Sequence, residues 1–249
     1  MDAVATIRRM LADAADPTRA SSMQAYMKSA MPYRGVPAPV VQRLCKEAFA
    51  NLRYDDARTW AADVLTLWRA AAFREERYAA IALTGHRAAR AFQRIDALPL
   101  YEEMIVTGAW WDYVDEIAVH RLWTLLLADP APMRAAMLAW GDDADRWKRR
   151  SAILCQNRAG AATDLDLLYR CIEPSLGERD FFLRKAIGWA LRQLARTDPA
   201  EVRRYVAAQG DRLSPQSRRE ALKRIGRAPP ATDDTRLSYN ADRVQQHGP

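Results

Sequence analysis

The 249-residue chain carries only three cysteines, three histidines and ten glycines. Cys45, Cys155 and Cys171 are odd in number and make no C-x-x-C pair, which argues against a disulfide framework or a structural zinc site and for a reduced compartment. His86, His120 and His247 are scattered and form no H-E-x-x-H arrangement, so no metal is expected. No run of about 18 apolar residues is present, and nothing is expected to span a membrane. The start, Met1-Asp2-Ala3-Val4, has no basic segment followed by an apolar core, so the expected location is cytoplasmic, without a signal peptide. A Ser-His-Asp set, a glycine-rich phosphate loop and a run of alternating β-branched residues are also missing.

What remains is helical material. The chain is 49% hydrophobic and rich in Ala, Leu and Arg, which points to an all-α protein. Its length suits one domain, placed at 1–227, followed by a polar segment, 228–249, expected to be disordered. The net charge is +7, unevenly spread: residues 146–227 hold 19 Lys and Arg against 9 Asp and Glu, a net of +10, which leaves −3 elsewhere. Such a basic half suits an anionic polymer, although solvated helix faces rich in Arg give the same count.

Periodicity and caps place helices over 3–15, 19–30, 40–52, 56–71, 75–92, 98–106, 109–127, 132–140, 146–157, 165–173, 181–196, 199–208 and 215–225. Asp198-Pro199 and Ser214-Pro215 are strong start signals. The segment 31–39, with three prolines and a glycine, is a loop, and its Tyr33 and Arg34 read equally as a groove contact or as a plain connection. Helix pairs recur about every 35 to 40 residues, the pattern of an α-α superhelix, or solenoid, of HEAT-like repeats; a compact orthogonal bundle is the alternative.

Three helices break their own patterns. In 109–127 the row Trp111, Asp115, Ala118, Leu122 is apolar except for Asp115. A carboxylate there needs either a partner, such as an Arg from a neighbouring helix, or a function. In 146–157 the row Trp147, Arg150, Leu154 holds a cation in an apolar place, whereas Lys148 and Arg149 read as solvated or phosphate-facing. In 181–196 Trp189 lies off the apolar stripe between Lys185 and Arg192, which a simple cation–π cover explains equally well. One carboxylate with two tryptophans suits cleavage of an N-glycosidic bond. The transition state is oxocarbenium-like, so a carboxylate and aromatic faces can stabilise its growing positive charge. A leaving base already made cationic by alkylation needs no general acid.

The segments Trp110-Trp111-Asp112-Tyr113-Val114-Asp115, 147–154 and 181–192, with Tyr26-Met27-Lys28 and 33–37, resemble the AlkD-like DNA alkylation repair glycosylases over roughly 23–225. The resemblance implies a HEAT-like solenoid that holds duplex DNA and removes cationic N3- and N7-alkylated purines as a monomer, with neither metal nor nucleotide cofactor. By residue match it implies Asp115 as the catalytic carboxylate, with Trp111 and Trp189 flanking the deoxyribose. It implies Arg150 and Arg192 at the backbone, with Tyr26 on the same face; the cations Arg149 and Lys185 are expected as further DNA contacts. The competing expectation is a non-catalytic scaffold for nucleic acid or protein, in which Asp115 merely pairs with Arg150.

Overall fold

The computed structural model describes residues 3–223 and 225, and over these it is all-helical, without a strand. The expected tail 228–249 lies outside the described residues. The α-helices run α1 (Ala3–Asp13), α2 (Pro17–Met27), α3 (Ala38–Ala48), α4 (Ala57–Arg69), α5 (Arg74–Thr84), α6 (Leu98–Gly108) and α7 (Trp111–Glu116). They continue as α8 (Trp123–Ala128), α9 (Pro130–Gly141), α10 (Arg146–Leu154), α11 (Leu165–Ile172), α12 (Phe181–Leu194), α13 (Pro199–Gln209) and α14 (Pro215–Leu222). A π-helical segment, Ile117–Leu122, joins α7 to α8 without a break in direction.

Starts follow the capping residues. Asp16, Asp56, Asp145, Asp164, Asp180, Asp198 and Ser214 each accept backbone N–H groups that a helix's first turn leaves orphaned. Several expected bounds shift by up to four residues, as in α3, and two expected helices are also interrupted or reshaped. The span 75–92 ends as an α-helix at Thr84, and Arg87–Phe92 is a 3₁₀ turn. Gly85 sits at the break, where an added Cβ would lie 2.2 Å from the Arg121 guanidinium. The span 109–127 begins only at Trp111, because Ala109 takes a left-handed φ of 44° to close α6.

The helices form two layers. In one, α3, α5, α7, α10, α12 and α14 each pack on the next; in the other, α4, α6, α9, α11 and α13 cover their backs, and α1 packs against α3, α4 and α5. This is the helical-repeat array that the pairing of helices implied, in which each unit buries its apolar stripe against its neighbours. Trp60, Val64, Leu67 and Trp68 fill that role for α4.

The loop before α3 is held by one buried side chain. Glu75 accepts the backbone N–H groups of Arg34, Gly35 and Val36 at 3.0–3.1 Å. Gly35 takes φ 84°, and a Cβ there would fall 2.0 Å from the Asp16 carbonyl oxygen, so only glycine fits. Tyr33 is buried with its hydroxyl 2.9 Å from that of Tyr78, while Arg34 pairs with Glu76 at 2.9 Å and covers the Phe73 ring. Both side chains are thus engaged within the fold, Tyr33 in the core and Arg34 in an ion pair. Glu75→Ala strands three N–H groups in the interior and is expected to cost about 2–4 kcal/mol. Urea unfolding checks this; a loss below about 1 kcal/mol would mean that water replaces the carboxylate.

Candidate active site

The stretch from Trp110 to Asp115 distributes its side chains in several directions, because a helix turns about 100° per residue. Trp110, in extended backbone at the N-cap of α7, joins Trp147 and Phe182 in an aromatic cluster with centroids 4.9–6.4 Å apart. Trp111 is half-buried and packs on the edge of the core. Asp112 is buried and receives Arg74 Nη2 on both oxygens at 2.6 Å and the Tyr78 hydroxyl at 2.6 Å. Tyr113 is fully buried, edge-on to Trp68 at 5.3 Å, with the Arg74 guanidinium 4.2 Å above its ring. Asp115, one turn after Trp111, keeps 16% of its side chain exposed.

Asp115 is held by Arg150 of α10. Nε meets Oδ1 at 2.7 Å and Nη2 meets Oδ2 at 2.8 Å, the two-point fork of a strong guanidinium–carboxylate pair. Arg150 is itself buried and donates its remaining Nη1 to the Phe182 carbonyl of α12. Burial pushes the Asp115 carboxyl above its ordinary range, and Arg150 acts against that push. The apolar row therefore does contain a paired carboxylate, and its partner is the cation that interrupts the matching row of α10.

This arrangement sits on a chain of known kind. The profile of the DNA alkylation repair enzymes matches residues 7–225. The chain belongs to that family. A solved structure described as a predicted DNA alkylation repair enzyme from Enterococcus faecalis is similar at 26% identity and a TM-score of 0.77, covering 86% of this chain and 98% of that one. No curated protein matches the sequence. Membership assigns this protein a part in DNA alkylation repair, with DNA as the substrate.

The other residues singled out in this repair protein fall as follows. Trp189, on α12 two turns after Phe182, is half-buried against the core edge and not fully off it. The Gly188 before it lets α14 close in: a Cβ there would meet that of Glu220 at 2.7 Å. Arg192 pairs with Glu220. Arg149 pairs with Glu178 at 2.9 Å and is mostly covered; Lys148 spans Glu102 and Asp143 at 2.7 and 2.6 Å. Lys185 is exposed, 5.6 Å over the Phe181 ring, and Tyr26 stands 41% exposed on α2. The structure thus joins Asp115 to Arg150 directly, and ties Trp189's helix to them through Phe182. Tyr26 lies on α2 at the N-terminal end of the array, although Arg74 Nη1, 3.2 Å from the Ser29 hydroxyl, reaches toward the end of that helix.

Sequence reasoning missed Arg74 and Asp112. Asp112 stands in the first turn of α7, where a carboxylate is unremarkable, and Arg74-Glu75-Glu76 resembles a solvated helix start. All four are buried.

Arg150→Ala leaves Asp115 with burial and no fork, so its carboxyl rises further. A buried pair broken on one side is expected to lose about 3–5 kcal/mol at neutral pH. The sign with pH follows. A raised folded-state pKa means the folded protein holds the proton more tightly than the unfolded chain, so the variant loses stability as pH climbs from the ordinary 3.8 through the raised value. Unfolding between pH 3 and 7, with carboxyl ¹³C titration, checks it; a carboxyl in the variant at or below 3.8 refutes the account.

Proposed function

We propose that the protein is a DNA glycosylase of base excision repair that hydrolyses the N-glycosidic bond of cationic N3- and N7-alkylated purines in duplex DNA. Asp115 carries the reading. It is a carboxylate kept in place by a buried guanidinium fork, still open on one side, one helical turn from the half-buried face of Trp111. As the bond to an alkylated purine lengthens, positive charge grows on the deoxyribose, and a fixed negative charge beside it lowers the barrier without reorganising. The alkylated base leaves neutral, so no side chain has to protonate it. Trp111 and Trp189 flank the sugar and offer the negative faces of their rings.

In this reading Asp115 contributes charge and orients the attacking water, whose proton is lost to solvent as the new C–O bond forms. Both its oxygens already accept from Arg150, whose charge opposes the upward push of burial and fixes the direction of the carboxylate. Arg150 and Arg192 reach the backbone beside the lesion, with Tyr26, Arg149 and Lys185 along the same duplex. Arg149 and Arg192 now rest on Glu178 and Glu220, and binding exchanges those carboxylates for phosphates. The basic net charge of residues 146–227 supports a duplex on this half. The enzyme acts as a monomer in the cytoplasm, without metal or cofactor.

The Asp115–Arg150 pair also favours a second reading, a scaffold that binds DNA without cutting it and uses the pair as a brace. Excision of 7-methylguanine from a methylated duplex separates the two. Wild type is expected to release the base, and Asp115→Asn to lose at least a hundredfold in single-turnover rate while binding duplex within about threefold, because the charge acts on the transition state. A loss under tenfold, about 1.4 kcal/mol, sinks the catalytic role of Asp115. No release by wild type leaves the scaffold.

A further inference from the structure

The seam between α7 and α10 has a second rung that the reading above leaves unused. His120 lies in the π-helical segment, five residues after Asp115, and its Nδ1 is 2.7 Å from Nη1 of Arg158, just past the end of α10. A guanidinium only donates, so Nδ1 is the acceptor and the imidazole is neutral with its proton on Nε2. Nε2 faces Glu116 at 3.5 Å, and Glu116 also meets Arg121 at 3.6 Å. Burial, and then the charges of Arg158 and Arg121, push the imidazole down to about 4, in keeping with a neutral ring at pH 7.

The π turn explains how both rungs form. In an α-helix the fifth residue on is rotated about 140° away; the π segment begins two residues after Asp115, and its wider turns carry His120 round by less than that. Asp115 and His120 therefore both face the α10 side, toward Arg150 and Arg158, themselves eight residues apart.

The two rungs differ in charge. Asp115 cancels Arg150. The second cluster has two guanidiniums, one carboxylate and a neutral ring, a net of +1. Its donors outnumber its acceptors: Arg121, packed against Gly85, has a buried Nε without a hydrogen-bond partner, and Arg158 is exposed. A carboxylate in place of His120 would hold Arg158 equally well and cancel it. An imidazole holds it and leaves its charge available.

We propose that Arg158 and Arg121, set around His120, form a phosphate site for the DNA backbone, placed in register with Asp115 by the π segment. This rests on the duplex-binding reading above. Asp115 and His120 stand five residues apart on one continuous helical run, about 7.5 Å, so the site takes a phosphate close to the sugar that lies over Asp115 and restricts which sugar that is.

The test is duplex binding by fluorescence anisotropy from about 50 to 200 mM salt, with wild type, Arg158→Ala, His120→Leu and, as a charge control in the covering layer, Arg170→Ala. Arg158→Ala is expected to bind roughly five- to tenfold more weakly at 0.1 M salt and to flatten the slope of log K against log salt by about 0.9, the value of one phosphate contact. His120→Leu, which removes the acceptor that aims Arg158, follows in the same direction, and Arg170→Ala does not. Neutral methylphosphonates, placed singly within three nucleotides of an abasic analogue, then locate the contact. Wild type loses affinity at one position, and Arg158→Ala shows no further loss there. Wild-type binding with an Arg158→Ala slope unchanged, or with Arg170→Ala equally weakened, overturns the phosphate site alone. No duplex binding by wild type overturns it together with the glycosylase reading.

Discussion

Burying the Arg150 guanidinium is the constraint on which the centre of this molecule depends. A cation removed from water must have its donors met, and no apolar row can meet them. Asp115 takes two, and the Phe182 carbonyl takes a third. The partners stand on α7 and α12, the helices on either side of α10, so one side chain fixes three successive members of a layer. The same demand fixes Asp115, whose oxygens must both point at α10 for the fork to close. A carboxylate set this firmly is a poor candidate for a mobile base and a good one for a fixed charge.

A second buried pair does the same one step toward the N-terminus. Arg74 and Asp112 join α5 to the first turn of α7, with Tyr33, Tyr78 and Tyr113 packed round them. The Tyr33 hydroxyl is pushed up to about 12, chiefly by burial, so near neutrality it stays protonated and can donate. With Asp112 tied to α5, Asp115 tied to α10 and Trp110 wedged among Trp147 and Phe182, α7 has little freedom to rotate. Trp111 is thereby presented at one angle. Precision of this kind, set by rigid elements and not by loops, is what a site acting on a transition state needs.

Much of this was legible in the residues. The caps at Asp56, Asp145, Asp198 and Ser214 each start a helix where the sequence placed one, and the paired-helix array followed from their spacing. The apolar rows around Asp115 and Arg150 each contained one charge in need of a partner, and the pairing of the two was one of the readings the sequence offered. Other features were hidden for physical reasons. The side chains of Glu75 and Asp112 accept from groups dozens of residues away, and nothing local distinguishes them from solvated carboxylates. The π segment leaves the apolar pattern of 117–126 intact, so periodicity passes over it. Charge counting along 146–227 could not foresee that Lys148, Arg149 and Arg192 rest on nearby carboxylates.

The contrast between the two rungs of the α7–α10 seam bears on how such a surface could find one nucleotide among many. Phosphates are alike, so a cation meeting one of them gains affinity without knowing which nucleotide it holds. Selectivity for a cationic lesion has to come from the place where the charge differs, and under the proposed function that place on this seam is the open side of Asp115. In the proposed reaction an alkylated purine would meet the carboxylate as a cation, whereas an ordinary purine would meet it as a neutral ring. A neighbouring phosphate contact adds equally to both and cannot improve the ratio. What it can do is fix register, so that every nucleotide passing the seam is offered to Asp115 at the same distance. Neutral His120 then suits the position better than a carboxylate would, because Glu116 already places one negative charge in the cluster and another would cancel the net +1 offered to the backbone.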